Sequence, residues 1–99
     1  MRVIKLKKVE GCLEGSNVHD ILLDDKIDRE FIDHLGKMGK LIYMDSFDKP
    51  FFKVIVRGRY TIKGSQTNKS IRIIFPEGAD PDAPLREISE HIGSYPEAA

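Results

Sequence analysis

The chain has no tryptophan and only one cysteine, Cys12, among its 99 residues. A lone thiol has no partner within the chain, so no intrachain disulfide staples the fold, and cysteine-based zinc sites are excluded. That usage fits a reducing compartment, and a cytoplasmic location is expected. Long apolar runs are also missing: runs such as Ile73-Ile74-Phe75 fall far short of the ~20 residues that span a bilayer. The opening MRVIKLKKVEG is basic but lacks the apolar stretch of ~7–15 residues and the small-residue cleavage site of a secretory leader. No membrane partner is expected. Nor does one sign of charge prevail, because 16 lysines and arginines face 16 aspartates and glutamates. A hydrophobic content of 40% fills one core, and the length suits one domain. Residues 1–99 are therefore read as a single domain, with a mobile tail over about 94–99.

What is present is periodicity. Residues 2–7 alternate, with Ile4 and Leu6 on one side and Val3, Lys5 and Lys7 on the other, which predicts a first strand. Turn formers surround Cys12. Residues 18–23 then suit either a strand or a helix capped by Ser16, and we read them as a strand. Asp24 or Asp25 is placed to cap a helix over Lys26 to Met38, whose stripe is Ile27, Phe31, Ile32 and Leu35. Gly39 suits the left-handed residue that stops it. Acids crowd its first half, at Asp24, Asp25, Asp28, Glu30 and Asp33, where the helix dipole favours them.

After a strand at Leu41–Met44 and a turn at Pro50 comes the strongest pattern. From Phe52 to Ile62 the even positions are apolar apart from Gly58, while the odd ones read Lys53, Ile55, Arg57, Arg59, Thr61. This predicts one long strand with a bend or bulge at Gly58, one face core and the other wet. A polar turn at 64–68 leads into a strand over Ser70–Phe75, and Pro81 or Pro84 opens a short helix with the stripe Leu85, Ile88, Ile92. The elements predict an α+β fold: a two-layer, mostly antiparallel sheet of about four to five strands with two helices on one face.

The balanced charge hides a partition. Residues 1–8 and 40–75 hold twelve bases and two acids, a net of +10, which leaves −10 for the rest. Lys53, Arg57, Arg59, Lys63, Lys69 and Arg72 are the candidate partner-binding residues; all but Lys69, which belongs to the 64–69 loop, are expected to project from the sheet face opposite the helices, joined by Lys5 and Lys7. Such a plate suits phosphates or carboxylates. Nucleic-acid platforms also show rings for base stacking, and only Phe51, Tyr43 and Phe47 are candidates for that role here. An ordinary solvated face with lysine-guarded edges is the plain alternative.

Catalytic signals are weak. His19-Asp20, Asp33-His34 and Glu90-His91 each put an imidazole beside a carboxylate, but no metal-ligand spacing occurs, and three solvated histidines are expected. Glu10 and Glu14 disfavour a reactive Cys12 thiolate. Gly64 to Ser70 lacks the second glycine of a phosphate loop, yet it offers a polar loop beside Lys63 and Lys69 that could clamp an anion. Phe47, Phe51 and Phe52 are a weak case for a ligand pocket. The leading expectation is a non-enzymatic binding or adaptor domain whose basic sheet face engages acidic protein or nucleic acid, without a cofactor or metal. A homodimer of basic sheet against acidic helix is also allowed by charge. The competing reading is a ligand-binding protein or enzyme with a pocket between the central helix and the sheet, using His34 or His19.

Overall fold

The computed structural model describes residues 1–10, 17–46 and 48–96. Within them lie β1 (Val3–Val9), β2 (Val18–Leu23), α1 (Arg29–Gly36), β3 (Lys40–Met44), β4 (Phe51–Val56), β5 (Tyr60–Ser65), β6 (Ser70–Ile74) and α2 (Asp82–Gly93). The six strands form one antiparallel sheet in the order β1-β2-β6-β5-β4-β3. Residues 18–23 are a strand, as read from the sequence. The strand from β3 to β6 meanders back to β2, so the β2-α1-β3 connection crosses the sheet to its far edge.

The count exceeds the expected four to five because the long strand at 52–62 is two. Gly58, at φ 76, sits in a turn over residues 57–59 that the Arg59 amide closes on the Val56 carbonyl at 3.0 Å. Glycine takes that left-handed conformation without penalty. Because Val56 pairs with Tyr60, even positions keep their face across the turn, and the alternation looks unbroken in the sequence.

Helix α1 is shorter than the Lys26–Met38 expected. Asp28 caps it, accepting the Phe31 amide at 2.8 Å. Asp24 and Asp25 instead accept the backbone amides of Arg2 and Lys26, at 2.9 and 2.7 Å. Ile27 cannot join the helix because its backbone is already spent: its amide donates to Asn68 O and its carbonyl accepts from Thr67, both at 2.8 Å. Gly39 is not left-handed. Its hydrogen is required by close approach, since a Cβ there would lie 2.4 Å from the Ile55 carbonyl oxygen.

Both helices lie on one face. Phe31, Ile32 and Leu35 of α1 and Leu85, Ile88 and Ile92 of α2 pack in one cluster with Phe52, Val54, Ile62, Ile71 and Ile73 of the sheet. Each such burial stabilises by about 1.5–3 kcal/mol. At the start of the expected tail the Tyr95 ring meets Phe31 edge-on at 5.2 Å, and the Ser94 hydroxyl donates to His91 O at 2.6 Å; residues 97–99 lie outside the described residues. No described helix is long and apolar enough to cross a membrane.

Candidate functional site

The face of the sheet away from the helices can be built row by row from the strand register. Its central row runs Lys7, Asp20, Arg72, Lys63, Lys53, Ile42 from β1 to β3. Three cations therefore stand directly opposite one another across β6, β5 and β4. Like charges in such positions destabilise a sheet. Asp20 offsets part of this through a two-pronged contact with Arg72, whose Nε and an Nη donate to the two carboxylate oxygens at 2.8 and 3.1 Å. Such paired bonds fix the guanidinium in direction as well as in charge.

The rest of this face is not simply wet, as the alternation had suggested. One flanking row reads Val9, Val18, Ile74, Thr61, Ile55, Lys40. Val18 in it is fully buried, although it stands outside the helix-side core. On the other flank Leu22 lies beside Lys5 and Ser70, while Phe51 lies between Ser65 and Met44. The open face is thus a cationic row set between two partly apolar ones.

The six candidate residues do not all gather here. Lys53, Lys63 and Arg72 do, as adjacent members of the central row. Arg57 is exposed in the β4-β5 turn. Arg59 leaves the plate and meets Glu87 of α2, Nη to carboxylate oxygen 2.8 Å, because parity assigns a face only within a strand. Lys69 is exposed ahead of β6, its carbonyl accepting the Leu23 amide at 2.7 Å.

The loop beside Lys69 is not built as an anion clamp. The amides of Gln66, Thr67 and Asn68 donate to the carbonyls of Pro50, Ile27 and Ser65 at 2.8, 2.8 and 3.2 Å. The Gln66 side chain accepts the Tyr43 hydroxyl at 2.7 Å. A phosphate needs backbone amides that point at it, and these are spent on carbonyls.

Two histidines expected on the solvated surface are joined instead. His34 near the end of α1 and His91 near the end of α2 stack at 4.0 Å with their rings 13° from parallel. Each Nε2 donates to the other's backbone carbonyl, at 2.7 and 2.6 Å. A carbonyl only accepts, so both rings carry the proton on Nε2. Burial lowers the His34 pKa, opposed by the bond to the His91 carbonyl and aided by the nearby His91 ring and Lys37 ammonium. His19 is also lowered, first by burial and then by Lys8. The neighbouring carboxylates do not serve these rings, since Asp20 binds Arg72 and Asp33 binds Arg29 at 3.1 Å. Nothing local in the sequence signals the clasp, whose partners are 57 residues apart.

The aromatic residues divide between faces. Phe51 is on the open face, Phe52 is buried in the helix-side core, and Tyr43 pairs with Phe52 on that side under the Arg29 guanidinium at 3.8 Å. Phe47 and Cys12 lie outside the described residues, and Phe51 and Phe52 point to opposite sides of β4. A cleft of about 440 Å³ is lined by Asp24, Asp25, Asp28, Glu30 and Tyr95 among others, and the first three of these acids already accept backbone amides. Among the described residues no group of three or more histidine, cysteine or acidic side chains is arranged to hold a metal. No protein-family model, curated protein or solved structure matches this chain.

Proposed function

We propose that the protein is a non-enzymatic, cytoplasmic binding or adaptor domain whose open sheet face engages an acidic protein partner. The observation that carries this reading is the cross-strand run Lys53, Lys63, Arg72 flanked by apolar side chains. A face selected only for solvation would alternate signs between facing positions, each favourable pair contributing roughly 0.2–1 kcal/mol. Cations set side by side repel one another across the strands, and an anionic partner laid over the row would be attracted by all three. Carboxylates suit the face better than a nucleic-acid backbone does. Stacking platforms present several rings to successive bases, whereas Phe51 is the one ring that the described strands place on this side. The flanking rows instead provide the apolar area that protein interfaces bury around their charges.

An amide NMR titration tests the reading, using a blocked peptide that alternates aspartate and leucine, a single-stranded RNA of matched charge, and two salt concentrations. Shifts at 53, 63 and 72 that extend to Ile55 and Ile74 and favour the peptide are expected. Salt should weaken the peptide complex only in part, because apolar contact is not screened. Stronger RNA binding with a steep salt dependence would reassign the face to nucleic acid. No shift with either probe would refute the reading.

A further inference from the structure

The two edges of the sheet differ. At one, the side chains of β3 from Leu41 to Met44 are all half-buried. At the other, every β1 side chain from Ile4 to Lys8 is exposed, and among the described residues no strand pairs with its outer side. Of the large apolar side chains left exposed, the three most exposed are on or beside this edge: Ile4 at 57%, Leu6 at 46% and Leu22 at 41%. Lys5, Lys7 and Lys8 accompany them, and none forms an ion pair among the described residues.

Lysines on an edge also guard against aggregation. A purely defensive strand, however, gains nothing from displaying Ile4 and Leu6. The combination is what strand addition uses: main-chain groups that pair with an incoming chain, and alternate side chains that select it. We propose that the β1 edge is a second docking site, for an extended segment of another protein that alternates acidic and apolar residues. Its acids face Lys5 and Lys7 on the open side, and its apolar residues meet Leu6 on the helix side. The register shift between Val3 and Lys5 confines regular pairing to Lys5–Val9. A second copy of this chain does not fit: antiparallel pairing of two β1 strands about Lys5, Leu6 or Lys7 sets lysine against lysine, which is repulsive. The site is separate from the central cation row apart from Lys7, and its test spares that row.

The probe is a blocked nine-residue peptide alternating aspartate and valine, with two isomers N-methylated at either the odd or the even positions. Binding should slow amide hydrogen exchange along Lys5–Val9. One N-methylated isomer should lose binding, because its edge-facing amides are gone while charge and side chains persist. Lys5→Glu, altering one exposed side chain, should raise the peptide concentration required for that protection of the β1 amides roughly threefold to fivefold, whereas Lys53→Glu should change it less than about twofold. Retained binding by both methylated isomers would overturn the proposal. So would peptide shifts confined to 53–72 without slowed exchange in β1, or a chain that dimerises in sedimentation with its β1 amides protected.

Discussion

The two faces of the sheet are made by the same strands and obey different rules. On the helix side, Phe52, Val54, Ile62, Ile71 and Ile73 are fully buried, and among the described residues no charged side chain is buried with them, although the Tyr60 hydroxyl is. Each residue there is explained by the water it excludes. On the open side, half-exposed aliphatic residues alternate with a row in which lysine faces lysine and lysine faces arginine. Stability alone accounts for the first face and runs against the second. Choices that cost a fold something are where a surface role should be sought.

Truncation should separate the faces most widely. Phe52→Ala should cost about 3–5 kcal/mol, as for a buried ring whose cavity cannot collapse, while Ile55→Ala on the open side should cost less than about 1 kcal/mol. Denaturant unfolding measures both, and equal costs would mean that the open face is a second core. Next comes the edge where the faces meet: Gly39→Ala should destabilise by about 1–3 kcal/mol, because its methyl is driven against the Ile55 carbonyl.

Acid should act through the helix layer and leave the open face alone. The folded-state pKa values of His34 and His19 lie below the ordinary 6.5, so the unfolded chain binds more protons as pH falls through that value. Stability should therefore decline on acidification from neutrality towards pH ~5 and stay flat just above neutrality. His34→Gln should shrink that slope. A profile that rises on acidification would contradict the clasp as described.

Much of the helix-side layer was legible in the sequence, because alternation and helical spacing are local. Phe31, Ile32, Leu35, Leu85, Ile88 and Ile92 all lie in the core as their spacing implied. Illegible features were of two kinds. A three-residue turn at 57–59 preserves parity, so it hid a hairpin inside one apparent strand and misplaced Arg59. Long-range partnerships also leave no local trace: Arg72 with Asp20, 52 residues apart, His34 with His91, and the Ile27 backbone with the 67–68 loop. One missed signal was visible. Ile55 stands among Lys53, Arg57 and Arg59 on the supposedly wet parity, and with Ile74 it marks the apolar row that the charge count obscured.

The sharpest test is Lys53→Glu, measured for stability and for binding of an acidic peptide in the same buffer. The new carboxylate would face Lys63, so the variant should be as stable as the parent or more stable by roughly 0.2–1 kcal/mol, and should bind the peptide more weakly. A variant that unfolds more easily while binding unchanged would show that Lys53 serves the fold alone, and would remove the basis for a partner on this face.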